Sequence, residues 1–467
     1  MRVLADVRPT PEQLAIVSRN RPGTEVIRGA AGSGKTTTAL LRLRSLIGMF
    51  VSRKKRQEVG EPVRVLVLTY NRTLRGYIDA LARRQALETE SLELQISTFG
   101  KWAWALLGNP KMISERDRAW KIRTLGETID LPKDFLVEEV DYVLGRFLPE
   151  NIEDYITTRR HGRGATPRVD QATRERILEE VIKPYCIWKE QKGISDWNDL
   201  AVALSQKQSS PGYDIIIADE TQDFSANQIR AIKNHLQPAH SLTLVIDSAQ
   251  RIYPRGFTWQ EAGIAVRPEN TRRLERNYRN TVEIARFAMP LIEGIPIDDD
   301  GTIPDFSKCE RHGPVPVVLK GRFSKQVWYI AQYLRRTVDL KNESVAILHP
   351  LGGRWFGYTR GALQAAHLGF AEITRESDWP SGPENIALST LHSAKGLEFD
   401  HVIIIGLNAE VTPHGGEEED DRLAKLRRLL AMGIGRARNS VVVGYKPEDA
   451  SRLIQYLDPS TYEEIPV

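Results

Sequence analysis

In the stretch VIRGAAGSGKTTTALLRL, residues Val26 to Leu43, Gly29 and Gly34 bracket four small residues, and Lys35 and Thr36 follow directly. This is the pattern G-x-x-x-x-G-K-[ST], with a short apolar run before it and helix-forming residues after it. The chemistry needs small residues at Gly29, Ala30, Ala31, Gly32, Ser33 and Gly34 because successive backbone N–H groups must converge on phosphate oxygens. The helix that follows adds its positive end. Lys35 is placed to reach β- and γ-phosphates, and the Thr36 hydroxyl, with Thr37 beside it, to hold Mg²⁺. A glycine-rich turn that binds nothing would not require the Lys-Thr pair in this flanking context.

The 467 residues exceed what one core usually supports, so two to four domains are expected. With 41% hydrophobic and 27% charged residues the composition is that of a globular protein, not a disordered chain. The net charge of +4 is mild, but basic residues cluster at Arg53 to Arg56, Arg159 to Arg168 and Arg267 to Arg279. Each cluster suits phosphate-backbone contact, and each taken alone reads equally well as solvated surface. Cys186 and Cys309 have no metal-ligand spacing, which points to core thiols in a reducing cytoplasm. No signal peptide or bilayer-spanning apolar run is evident, so no membrane association is expected.

Along the chain, TPEQLAIV reads as a helix with Thr10 as N-cap and Pro11 at its first position. VRVLVLTYN (Val63 to Asn71) is a nearly continuous apolar run of the kind a doubly buried strand requires, and LELQIST (Leu92 to Thr98) is a shorter strand. From Phe99 to Gln208 helical periodicity takes over. Strands resume at YDIIIADE (Tyr213 to Glu220) and SLTLVID (Ser241 to Asp247). A second set follows in VPVVL (Val315 to Leu319), SVAIL (Ser344 to Leu348), IALST (Ile386 to Thr390), HVIIIG (His401 to Gly406) and SVVVGY (Ser440 to Tyr445). Helical patterns separate them, so a second parallel sheet is expected.

The strand at Tyr213 runs into Asp219-Glu220-Thr221-Gln222-Asp223. Asp219 at a strand end can bind the water shell of Mg²⁺, and Glu220 can orient and deprotonate an attacking water. DETQD resembles the DExQD box of superfamily 1 helicases, and from here the resemblance extends along almost the whole chain to the UvrD/PcrA/Rep-like branch. Gln13 resembles the glutamine that reads adenine. VLVLTYNRTLRGYI and ISTFGKWA resemble strand-contacting segments, and LVIDSAQRIYPRGFTW places Asp247, Gln250 and Tyr253 in a D-x-x-Q-x-I-Y box. LERNYRNT gives Arg279 the role of a γ-phosphate arginine. STLHSAKGLEFDHVIIIG is similar to the T-x-H-x-x-K-G-L-E-F box, which adds Glu398 to the nucleotide site. RRLLAMGIGRARNSVVVGY makes Arg436 the arginine finger.

The resemblance implies an α/β fold: two RecA-like parallel-sheet domains of P-loop NTPase topology, with a helical insertion in the first. The expected partition is 1–98 and 209–265 for the first RecA-like domain, 99–208 for the insertion, similar to subdomain 1B, and 266–467 for the second. It also implies ATP and Mg²⁺ as cofactors, with hydrolysis driving 3′-to-5′ movement on single-stranded DNA and a tailed duplex as unwinding substrate. Lys35, Glu220, Gln250, Arg279 and Arg436 would carry catalysis. Tyr70, Arg72, Phe99, Phe257, Trp259 and His392 are the nucleic-acid candidates, since aromatic faces accept any base. Arg75 joins them as a phosphate contact, while Trp102, Trp104 and Trp188 are read as core.

Two departures stand out. The last box reads Ala431-Met432-Gly433-Ile434-Gly435 where relatives commonly carry Tyr-Val-Ala-x-Thr. Between Arg279 and Ile386 there is room for the core of a second domain and not for the large 2B subdomain of full-length relatives. Two alternatives stay open: a nucleic-acid-stimulated ATPase subunit serving a partner nuclease or a repair or defence complex, and a binding module with vestigial hydrolysis. DNA and RNA are not distinguished by stacking and phosphate contacts.

Overall fold

A computed structural model describes residues 9–29, 33–69, 91–160, 167–207, 212–246, 256–274, 279–295, 309–374, 380, 382–394, 397–415 and 420–467. Its first sheet is built from β1 (Gly23–Gly29), β2 (Val63–Thr69), β3 (Leu92–Thr98), β4 (Tyr213–Ala218), β5 (Leu236–Ile246) and β6 (Thr271–Leu274), in the order β3-β2-β4-β5-β1-β6. Every pairing is parallel. Side chains alternate between faces with the strand period. Ile27, Val65, Val67, Ile215, Ile217 and Val245 meet the long helix α2 (Lys35–Arg56), which follows the short helix α1 (Pro11–Val17). Val26, Leu66, Leu68, Ile216, Ala218 and Leu244 form the opposite face. Because both faces are covered, the strands read as unbroken apolar runs rather than as alternation.

Between β3 and β4 the described chain is helical: α3 (Phe99–Leu106), α4 (Glu115–Leu125), α5 (Lys133–Arg146), α6 (Gln171–Arg176), a π turn (Ile177–Ile182), α7 (Lys183–Lys192) and α8 (Trp197–Gln206). Much of this segment has its own core, including Ile122, Leu136, Val140, Tyr155, Val181 and Tyr185. Its first and last helices instead complete the β-sheet core, with Trp102, Leu200 and Leu204 packed beside Ile229 of α9 (Ala226–Asn234).

The second sheet contains β7 (Val317–Lys320), β8 (Val345–His349), β9 (Ala371–Ile373), β10 (Ile386–Thr390), β11 (Phe399–Ile404), β12 (Ala437–Tyr445) and β13 (Glu463–Pro466), in the order β13-β7-β12-β11-β8-β10-β9. All its pairings are parallel too. Its helices are α10 (Val282–Ala288), α11 (Phe323–Thr337), α12 (Trp355–Ala365) and α13 (Asp421–Ile434). The two-sheet α/β architecture read from the sequence is the one observed.

Three strands were not anticipated. β6 lies beside β1, so the first sheet keeps the chain to Leu274. Its sequence, Thr-Arg-Arg-Leu, buries only Leu274, and Arg272 is held by the buried Glu25 of β1 at 2.8 Å. β9 is a three-residue edge strand. β13 turns the expected short tail into an edge of the second sheet, where Pro466 is tolerated because one side of the strand has no partner to supply.

Candidate nucleotide site and strand-contacting face

The phosphate loop leaves β1 at Gly29 and enters α2 at Lys35. A Cβ on Gly29 would come within 2.9 Å of the Leu274 carbonyl, so the newly found β6 is one reason this position is glycine. Gly34 caps α2 at φ 77, a left-handed geometry that a side chain would strain. A side chain there would also collide with the Gln13 amide, which lies against the loop. Gln13 is buried and closes a capping box: its Oε1 accepts from Thr10 N at 3.0 Å, and its own N donates to Thr10 Oγ1 at 3.3 Å. Its carbonyl thus accepts one bond inside the box and keeps a second lone pair. Ala30, Ala31 and Gly32 lie outside the described residues. Ser33 is fully buried, Lys35 is 9% exposed in the first turn of α2, and Thr37 is half-buried beside it.

Strand β4 delivers the second part of the site. Asp219 continues the ladder for one residue, donating its N–H to Leu68 O at 2.9 Å, and its Oδ2 accepts from Thr36 Oγ1 at 2.9 Å. Burial, and then the charge of Glu220, push the Asp219 carboxyl up to about 7. A hydroxyl and a buried carboxylate that is costly to ionise, meeting at a helix N-terminus, form a donor set that fits a divalent cation. Glu220 stands in the left-handed region at φ 53, ψ 40, and its carboxylate accepts from Gln222 Nε2. Thr221 Oγ1 fixes the turn by donating to Val245 O at 2.8 Å.

The second sheet brings three of the expected residues together. Glu398 precedes β11 and Arg436 precedes β12, and the pairing of Phe399 with Ala437 sets them side by side. Arg279 reaches this point as well: its Nη2 is ion-paired with Glu398 Oε1, and its Nη1 donates to Gly435 O at 3.4 Å. Asn280 Nδ2 donates to Gly435 O at 3.2 Å and to Ala437 O at 2.5 Å, and Arg311 Nη1 donates to Arg279 O at 2.9 Å. Arg436 is 3% exposed. Glu398, grouped from the sequence with the nucleotide ligands, here partners an arginine.

Of the nucleic-acid candidates, Tyr70, Arg72 and Arg75 lie outside the described residues, as do Asp247, Gln250 and Tyr253. Phe99 does not offer a stacking face. It is 4% exposed, edge-on to Trp102 at 5.6 Å and tilted against Phe224 at 6.1 Å. Phe257 and Trp259 are half-buried and form an edge-to-face pair at 5.6 Å, and His392 is half-buried. Trp102 is core, as expected, with its Nε1 donating to Tyr213 OH at 3.1 Å, whereas Trp104, two residues on and on another helix face, is exposed. Trp188 packs in the helical core, stacked on Tyr185. Trp197 is exposed, with its ring against Gly100 at the start of α3. The basic clusters are partly consumed internally, Lys54 by Asp214 at 2.7 Å, Arg160 by Glu139 at 2.8 Å and Arg272 by Glu25. Burial raises the Cys186 thiol to about 11. No helix among the described residues is long and apolar enough to cross a membrane.

A phosphate loop on one parallel sheet, a carboxylate pair on the same sheet and an arginine cluster on a second define a paired RecA-like architecture. Residues 10–267 match the UvrD/REP helicase N-terminal domain and residues 363–448 the UvrD-like helicase C-terminal domain, so the chain belongs to the UvrD/Rep helicase family. It is 42% identical over 64 residues to the ATP-dependent DNA helicase Rep of Buchnera aphidicola subsp. Schizaphis graminum, which is 14% of this chain and 10% of that protein. It is 37% identical over 71 residues to the ATP-dependent DNA helicase PcrA of Bacillus subtilis, 15% and 10% of the two chains. The matched segments thus span about a tenth of these relatives. A solved C-terminal domain of a possible DNA helicase from Lactobacillus plantarum WCFS1 is 21% identical with a TM-score of 0.31, covering 40% of this chain and 98% of that one.

Proposed function

We propose that the chain is an ATP-driven motor on single-stranded DNA, moving 3′ to 5′. The observation that carries this is the meeting of Thr36 and Asp219 at the N-terminus of α2, with Glu220 beside them and Arg279 and Arg436 gathered on the other sheet. Lys35 and the loop N–H groups would bind the β- and γ-phosphates, while Thr36 and Asp219 would hold the Mg²⁺. Bound there, Mg²⁺ would neutralise charge on the phosphate oxygens. Glu220 orients the attacking water and takes its proton. Gln13 packs on the loop and bounds the base side. Arg436, and Arg279 once it exchanges Glu398 for phosphate, stabilise transition-state charge when the two sheets close on the nucleotide.

We assign residues up to 98 and 209–274 to the first RecA-like unit, 99–208 to its helical insertion and the rest to the second. The strand lies across Phe257, Trp259 and His392, with Trp197 added to the stacking set and Phe99 removed from it. Family membership and the intact Lys35, Glu220, Arg279 and Arg436 support this reading over a vestigial binding module. The test is one ATPase titration with single-stranded DNA, duplex DNA and RNA, followed by tailed duplexes of both polarities. Stimulation by single-stranded DNA is expected. An ATPase indifferent to every nucleic acid would overturn the motor.

A further inference from the structure

Trp259 stands in the short sequence Thr258-Trp259-Gln260-Glu261, and the structure closes this sequence as a reciprocal box. Glu261 N donates to Thr258 Oγ1 at 3.3 Å, and Thr258 N donates to Glu261 Oε2 at 3.3 Å. The same carboxylate is gripped by the last residue of α5: Arg146 Nη2 donates to Oε1 at 2.7 Å and Nε to Oε2 at 3.1 Å. A two-pronged guanidinium fixes orientation as well as distance. Arg146 is 3% exposed and is itself held, its Nη1 donating to Arg159 O at 2.8 Å and to Tyr142 OH. From α9, Arg230 closes the circuit, with Nη1 donating to Arg146 O at 2.7 Å and Nη2 to Glu261 O at 2.9 Å. Asn227 Nδ2 donates to Leu144 O and Phe147 O, both at 2.9 Å, which pins the end of α5 to α9. The loop carrying Phe257 and Trp259 is therefore fastened through Glu261 to the helical segment.

We propose that Arg146 and Glu261 are positioning residues: their ion pair sets the Trp259 loop, and through it the affinity of the motor for single-stranded DNA. This rests on the function proposed above. The consequence is specific, because Glu261 touches the backbone at Thr258, next to Trp259, and is remote in chain and contacts from the phosphate loop. Loss of the pair should loosen the grip on the strand without altering the nucleotide site.

The test uses the full chain, a thymidine oligonucleotide and Glu261→Gln, which keeps the shape of a side chain that is only partly buried. The oligonucleotide concentration giving half-maximal ATPase should rise about tenfold, within what one base–aromatic stack contributes. Basal rate, maximal stimulated rate and nucleotide KM should stay at wild-type values, while the thermal midpoint, lowered by loss of the charged partner of a buried guanidinium, should stay well above the assay temperature. Arg146→Lys, which keeps the charge and loses the fork, should fall between wild type and Glu261→Gln. In the pair Glu261→Gln/Trp259→Ala the half-stimulation point should match that of Trp259→Ala alone, since residues acting through one another are not additive. A Glu261→Gln protein with an unchanged half-stimulation point removes the clamp and leaves the motor. Independent, multiplying effects of Glu261→Gln and Trp259→Ala also remove it, as does a shift accompanied by unfolding at the assay temperature or by a raised nucleotide KM. A wild-type ATPase that ignores the oligonucleotide removes the motor, and the clamp with it.

Discussion

At Glu220 a side chain that is neither glycine nor asparagine occupies the left-handed region, a conformation that costs on the order of 1–3 kcal/mol and persists where surrounding contacts over-determine it. Those contacts are present: Thr221 is anchored to Val245 O, Asp219 to Leu68 O, and Gln222 donates to the Glu220 carboxylate. The turn aims a carboxylate beside the Thr36–Asp219 pair, which is the position a general base requires. Glu220→Gln should therefore retain ATP binding and lose turnover, because an amide cannot take the proton, whereas Lys35→Ala should weaken ATP binding itself. Nucleotide binding by calorimetry beside steady-state hydrolysis separates the two, and substantial turnover by Glu220→Gln would remove the assigned base. The placement of Lys35 at the start of α2 and of Asp219 and Glu220 at the end of β4 was legible because backbone geometry dictates residue type at a glycine-rich loop and at a strand end. The Thr10–Gln13 box was also written in the sequence as T-x-x-Q, and went unrecognised beside the stronger resemblance of Gln13 to a base reader. Phe99 does not fit the stacking role that the resemblance implies, because its ring fills the core between Trp102 and Phe224.

Among the elements, β8 illustrates what a buried strand end does to a titratable group. His349 closes β8 at 1% exposure, stacked on Trp355 at 4.9 Å and edge-on to Phe323 and Phe356. Its Nδ1 accepts from Leu351 N at 3.2 Å and Gly352 N at 3.0 Å, so the neutral ring carries its proton on Nε2. Burial lowers this histidine from 6.5 to about 4. Between those values the unfolded chain takes up a proton that the folded chain refuses. The contribution is therefore whole above pH 6.5 and is lost as pH falls towards 4. At about 1.4 kcal/mol per pH unit across that window, the acid limb is on the order of 3 kcal/mol. Asp219, raised to about 7, titrates over the same window with the opposite sign, so the slope belongs to the difference between wild type and a His349 variant. Denaturant unfolding at a series of pH values should show wild type minus His349→Gln stability falling by this amount between pH 6.5 and 4, and a difference that does not change with pH would acquit His349. The long central strands were readable because both faces are apolar. β6, β9 and β13 were not, since short edge strands need little burial and carry charge, and their pairing is decided by residues far away in sequence.

For the molecule as a whole, the proposed function divides the nucleotide site between two sheets. The sequence could assign Arg279 and Arg436 to the second sheet, but not their grouping with Glu398, which follows from the parallel register of β11 and β12. Alanine at either arginine should spare most ATP binding and reduce hydrolysis by about 10³-fold or more, as loss of an arginine finger does elsewhere. A loss of only a few-fold at both would mean that catalysis does not need closure of the sheets. Closure alternating with opening is sufficient for movement along a strand, but separating a duplex also requires contacts that hold or destabilise the junction. Each base-pair step costs roughly 1.4 kcal/mol to open. Among the described residues between Arg279 and Ile386 the chain forms α10, α11, α12 and strands β7 to β9 and no large duplex-contacting subdomain. The isolated monomer should therefore show salt-sensitive binding and strong ATPase stimulation by single-stranded DNA together with weak unwinding of tailed duplexes. Unwinding should rise when a partner or a second copy supplies the missing surface. A strand-displacement assay at concentrations where sedimentation shows only monomer checks this, and processive opening of long duplexes under those conditions would mean that the two sheets and the helical segment already provide the junction contacts.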